Sequence, residues 1–270
     1  MKRRLFAVTV LIALFALGGC ATNPITGRSQ AMLVSDSEAA QQSAQAYNQL
    51  ITGASQKQIL DNDPASLQRV RAIAAPLITQ AGIMRPETRN WQWDIHVLKS
   101  DEVNAWCMAG GKIAVYTGLL QKIQPTDDEL AEVMGHEISH AMLSHQAEKL
   151  SRAKMQQAGI TLGIIAGAIA GYNLSGVASI ANSAATVGLQ LPNSREAENE
   201  ADSVGIELAA RAGYNPNAAV TLWKKMLAAS GGKSGPGWLS THPATEDRIQ
   251  AMQVRAQQLM PVYEAAKRGQ

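Results

Sequence analysis

The chain has 270 residues, 46% of them hydrophobic and 17% charged, a balance that excludes a disordered polymer and allows one sizeable folded domain or two small ones. With 24 Lys and Arg against 22 Asp and Glu it carries no charge excess that would point to nucleic acid as a partner. Two cysteines, Cys20 and Cys107, are too few for a disulfide framework.

Residues 1–19 read as a signal sequence. Lys2, Arg3 and Arg4 precede an apolar run from Leu5 to Leu17 that is too short to span a bilayer as a mature helix, and Leu17-Gly18-Gly19-Cys20 follows. The last four residues resemble the lipobox of bacterial lipoproteins, which implies cleavage before Cys20, lipidation on it and attachment to a membrane. Ala21 after the cysteine favours the periplasmic face of the outer membrane in that resemblance. The three basic residues would leave with the signal and cancel the small positive balance. Cys107 would remain as a lone thiol, expected as a small buried hydrophobe.

Residues 20–33, polar and turn-rich, read as a lipidated tether, and 34–265 as the folded domain. Ser35 and Glu38 have capping-box spacing and predict a helix to about Ile51. A second helix is expected over Ala65 to Ala81, stopped by Gly82. Trp91 to Val97 alternates as a half-buried strand. Gly110-Gly111 turns into a second strand, Lys112 to Tyr116. Thr126 and Glu129 form a capping box for a long helix from Asp127 to about Ala158. Residues 158–191 are uncharged and rich in Gly and Ala, and read as a helical hairpin inserted in the domain rather than a membrane span. Ser194 to Ala212 is a helix ending at Gly213, Pro216 starts another through Ala229, and Pro243 opens a last one through about Leu259. No tetratricopeptide-type period is visible.

The chemistry lies in His136-Glu137-Ile138-Ser139-His140. Two histidines at i and i+4 share one helix face and can reach one metal ion. Zinc there lowers the pKa of water and polarises a carbonyl, and Glu137, on the flank of that face, can take the water's proton without being a ligand. A catalytic ion needs a third protein ligand from another segment. The Ser194 helix offers Glu196, Glu198 and Glu200, which spacing alone does not separate, and Asp202 one turn past Glu198. His145 and His96 read as non-ligands, His145 on a different helix face and nearer the surface.

In combination, His136-Glu137-x-x-His140, Ser194-Arg195-Glu196, Glu198-x-x-x-Asp202, Asn104-Ala105 through Gly110-Gly111 to Gly118-Leu119-Leu120, Thr241-His242-Pro243 and Arg248 resemble a family of zinc metallopeptidases of gluzincin type. That family includes bacterial HtpX, the CaaX prenyl proteases and the envelope lipoproteins LoiP and BepA. The tether Asn23-Pro24-Ile25-Thr26-Gly27-Arg28 resembles that of the lipoprotein members, and the likeness runs from about Asn23 to Ile249. It implies an α+β, mostly helical zincin-like fold with a small sheet on the metal-binding helix. It implies one Zn2+ held by His136, His140 and Glu198, with Asp202 supporting the ligands and Glu137 as base. His242 becomes a fourth ligand in a latent state, a transition-state stabiliser or a helix-terminal residue. The strand Lys112 to Tyr116 would edge the cleft and take an unfolded or misassembled envelope protein as an added strand. The implied function is an endopeptidase; the alternative is a periplasmic chaperone with weak or latent proteolysis.

Overall fold

The computed structural model describes residues 20–169, 193–229, 237–243 and 245–269. The expected signal sequence at 1–19, most of the stretch at 158–191 expected as an inserted helical hairpin, and the Gly-rich stretch at 230–236 lie outside these. The chain divides into two units, residues 1–39 with 146–191, and residues 40–145 with 192–270.

In the first unit the expected tether is a folded hairpin. Strands β1 (Cys20–Thr22) and β2 (Ser29–Ala31) pair antiparallel, Cys20 opposite Ala31. Asn23 organises the turn: its Oδ1 accepts from the amides of Ile25 and Thr26, and Gly27 supplies a φ of +72°. Arg28 donates both arms of its guanidinium to the buried Glu148 carboxylate at 2.9 and 2.6 Å, and Gln30 adds a third bond at 3.0 Å. Burial opposes ionisation of Glu148, but Arg28 and Arg152 overcome it and hold its carboxyl below the usual range. Cys20 is exposed at the start of this hairpin.

The second unit begins within helix α1 (Asp36–Gln56), whose start carries the expected Ser35 cap. Helix α2 (Pro64–Met84) is capped by Asp63 and runs through Gly82 to stop before Pro86, past the expected end. Gly82 is there for closeness: a Cβ on it would lie 3.0 Å from Cγ of Arg89, which donates to the Gly82 carbonyl. The sheet has three strands in the order β3 (Asp94–Leu98), β5 (Lys112–Tyr116), β4 (Ala105–Met108). β3 and β5 are parallel, and β4 returns antiparallel through Gly110 and Gly111, both at φ +83°. The sequence reading lacked β4, which makes Lys112–Tyr116 the central strand; Ala105–Met108 is the edge.

Helix α3 (Asp127–Met142) has the full capping box at Thr126 and Glu129. Contrary to the expected single helix, it ends at Met142. Ser144 takes a left-handed φ of +59°, and α4 (His145–Ile169) starts anew. Helix α5 (Arg195–Arg211) is capped by Ser194 and followed by Gly213 at φ +86°, as read from sequence. Then come α6 (Ala218–Ala229), the short α7 (Trp238–Thr241) and α8 (Glu246–Arg268). α8 is capped by Thr245 rather than opened by Pro243, and it passes Pro261. β4 packs on α3, and α3 packs on α5, which in turn carries α8. This is the mostly helical α+β arrangement expected. No described helix is long and apolar enough to cross a membrane.

Candidate metal centre

From Glu129 through Met142 every residue of α3 is buried, so its polar groups must find partners inside the protein. The approach of α5 brings carboxylates to the two histidines among them. Gly135 and Gly205 let the two backbones touch: a Cβ on Gly135 would fall 2.9 Å from the Gly205 carbonyl oxygen, and one on Gly205 2.8 Å from the amide nitrogen of His136. Glu198, Asp202 and Gly205 lie at i, i+4 and i+7, on one face of α5. The glycine contact therefore delivers both carboxylates to the histidines.

Four donors converge there. His136 Nε2 and His140 Nε2 are 3.0 Å apart. Glu198 places Oε1 3.3 Å from the His140 nitrogen and Oε2 3.6 Å from that of His136. His242 Nε2 lies 3.9 Å from Glu198 Oε1. All four residues offer ligand atoms within 4.8 Å of one another. A tetrahedral zinc ion with bonds of ~2.0–2.1 Å has ligand–ligand edges of about 3.3–3.4 Å, so the spacing fits one ion. The opposite ring nitrogens are held elsewhere, which aims the Nε2 lone pairs inward. His136 Nδ1 is 3.0 Å from Asp202 Oδ1, and His242 Nδ1 is 3.1 Å from the Trp238 carbonyl. His140 Nδ1 is 2.8 Å from Nδ1 of His145. His145 is thus buried inside the site, not on the surface as its helical position suggested, because the break after Met142 turns it back.

Glu137 sits beside this group and outside the donor set. Trp238 donates its indole N–H to Oε1 at 2.5 Å, and His242 Nε2 is 3.5 Å from the same oxygen. Burial raises the Glu137 carboxyl to about 7, against the lowering pull of His136, the Trp238 N–H and the Cys107 backbone. Burial also drives His242 well below the usual imidazole value, His136 and His140 adding to the effect. His136 is raised: burial opposes its charge, but Asp202, Glu198 and Glu137 outweigh it. Glu198 is lowered: burial pushes up, but His242, His136 and Arg248 prevail.

Arg248 of α8 ties the carboxylates together. It donates to Asp202 through Nε and Nη2 at 2.7 and 2.9 Å, reaches Glu198 Oε2 at 2.8 Å, and lies 4.4 Å over the Trp223 ring. Trp238 stacks on His242 with centroids 4.8 Å apart. Its spacing, four residues before His242, is the only mark it leaves in the sequence. His96 is apart from the site, beside Asp61 and Asp94. Cys107 lies half-buried on β4, where burial and then Glu137 keep the thiol well above its usual value.

Two histidines one turn apart, a carboxylate from a second helix and a buried acid at their side make up a mononuclear metallohydrolase site. The chain matches peptidase family M48 over residues 35–256, and it belongs to that family. It is 37% identical over 164 residues to the mitochondrial metalloendopeptidase OMA1 of Schizosaccharomyces pombe, covering 60% of this chain and 46% of that protein. To the mitochondrial metalloendopeptidase OMA1 of Bos taurus it is 29% identical over 272 residues, covering 94% and 49%. To the beta-barrel assembly-enhancing protease of Escherichia coli K12 it is 29% identical over 208 residues, covering 75% and 41%. The chain spans about half or less of the length of these curated relatives.

Proposed function

We propose that the protein is a zinc-dependent endopeptidase of the bacterial envelope, with His136, His140 and Glu198 holding one Zn2+ and Glu137 as general base. The observation that carries this reading is the convergence of those three donors beside a buried carboxyl outside the donor set. When bound, the ion supplies a Lewis acid that makes water acidic and polarises the scissile carbonyl. Glu137 takes the proton of the attacking water and returns it to the departing amine, a role worth about 10²–10⁴-fold in rate. Asp202 orients His136, and Arg248 holds Asp202 and Glu198 in place.

β4 is the edge strand beside α3, and its Cys107 backbone already meets Glu137. An extended peptide added to that edge would bring its carbonyls past the metal through main-chain bonds, a mode that tolerates many sequences. Unfolded or misassembled envelope proteins are the matching substrate class. Lipidation of Cys20 would place the hairpin β1–β2 at the membrane, on the periplasmic face of the outer membrane. That one relative is named a beta-barrel assembly-enhancing protease supports a substrate among envelope proteins.

Zinc-loaded wild type should cleave an unfolded model substrate such as casein, and Glu137→Gln should not; equal cleavage by both would remove Glu137 from the mechanism. His242 gives a second reading, a latent site that holds unfolded chains without cutting them, favoured by its place as fourth donor against Glu137. If it is a latch, His242→Ala raises turnover; if it stabilises the transition state, turnover falls with zinc retained.

A further inference from the structure

We infer that His145 and Glu200 form a hydrogen-bonded relay that fixes the tautomer and ring orientation of His140, and that this relay sets the affinity of the site for its ion. The inference rests on the zinc reading above and names a positioning role that the ligand set does not contain.

The relay exists because the helix breaks. In a continuous helix a residue five positions after His140 points about 140° away around the axis. Instead α3 stops at Met142, and Ser144 adopts a left-handed backbone that non-glycine residues seldom take. Arg85, itself buried, secures the break by donating to the Met142 carbonyl and to Ser144 Oγ. His145 thereby folds back on His140, with ring centroids 4.9 Å apart and the two Nδ1 atoms at 2.8 Å. Its far nitrogen, Nε2, is 3.0 Å from Glu200 Oε2.

Two facing imidazole nitrogens make a hydrogen bond only if one carries the proton and the other a lone pair. Were His145 the donor, the proton of a neutral His140 would sit on Nε2, facing His136 Nε2, with no lone pair for an ion. The His145 Nε2 lone pair would then confront the Glu200 carboxylate. With the direction reversed, His140 donates from Nδ1, His145 donates from Nε2 to Glu200, and His140 Nε2 keeps its lone pair for an ion. Glu200 therefore selects the tautomer of His140 through His145. α5 serves the centre with alternate acids: Glu198 at the donor cluster, Glu200 through His145, and Asp202 directly on His136.

The test is the zinc dissociation constant of the full-length protein, measured by competition with a chromogenic chelator. His145→Leu, which fills the space without an acceptor, should weaken binding about 10–100-fold, the usual cost of losing a partner of a metal-bound histidine. His145→Asn, which keeps an acceptor for the His140 N–H, should recover most of that loss. Glu200→Leu should weaken binding too, and the double variant should be no worse than His145→Leu, since both act through one relay. Unchanged affinity in His145→Leu, failure of His145→Asn to recover, or additive losses would each overturn the relay. If metal-free His145→Leu does not fold, as judged by its far-UV dichroism, Glu200→Leu decides: weakened binding supports the relay and wild-type affinity overturns it. A wild type that binds no zinc overturns the peptidase reading as well; a wild type that binds, with unaltered variants, overturns this inference alone.

Discussion

Arg248→Met should destabilise the metal-free protein more than any other single change to the site. The guanidinium is buried between Asp202 and Glu198, with side-chain exposures of 6, 8 and 2%. Removing it leaves two buried carboxylates without their cation, at a cost of about 3–5 kcal/mol. The cation–π contact with Trp223 adds to this. For a domain of this size each kcal/mol moves the melting temperature by about 2–4 °C, so the expected drop is about 6–20 °C. The pH dependence has a definite sign. Glu198 is held below its usual value in the folded state, so its contribution is present above the unfolded value near ~4.3 and is lost as the pH falls. The gap between wild type and variant should be full at pH 7.5 and should narrow as the pH falls below that unfolded value. Arg248→Lys should restore only part of it, because an ammonium cannot span both carboxylates. Thermal melts of chelator-treated protein at the two pH extremes make the test. A variant melting within about a degree of wild type at pH 7.5 would refute the argument that this network holds the donors.

Gly205→Ala forces a Cβ to 2.8 Å from the His136 amide nitrogen. It should cost about 1–3 kcal/mol and weaken zinc binding by moving Glu198 away from the histidines. Gly159→Ala, where a Cβ meets nothing within 4 Å, should instead stabilise, and equal effects of the two in melts would contradict the close-approach argument. Zinc affinity should rise from pH 6 to pH 8, since His136, raised by Asp202, must lose its proton and the Glu137 carboxyl near 7 is held neutral until the ion favours its charge. A flat chelator-competition profile would contradict this. Trp238→Phe removes an N–H that favours the Glu137 carboxylate, so the carboxyl should rise further and activity at pH 6 should fall relative to pH 8. An unaltered ratio would separate Trp238 from the base.

The parts of this site legible in the sequence are local ones. His136, Glu137 and His140 are fixed relative to one another by one turn of helix, and the Thr126 box marks where that helix starts. The Ser194 cap and Gly213 bound α5 in the same way. What was hidden depends on distant residues. The break after Met142 is stabilised by Arg85, 57 positions earlier, so a periodicity count carried the helix through it and turned His145 outward. β4 was missed because Ala105-Trp106-Cys107-Met108 is four apolar residues without alternation, and only pairing with β5 defines it. Glu196, Glu198 and Glu200 look alike along the chain. The Gly135–Gly205 contact separates them, turning Glu198 to the donors and Glu200 to His145. Trp238 acts across 101 positions on Glu137, a distance no motif spans.

Metal content measured on the purified chain, beside Glu137→Gln and Glu198→Ala, decides whether the assigned donors hold an ion. Wild type and Glu137→Gln should hold about one zinc per chain, because the base is not a ligand, and Glu198→Ala far less, as this donor assignment requires. No bound metal in wild type, or a full complement retained with wild-type affinity by Glu198→Ala, would contradict it.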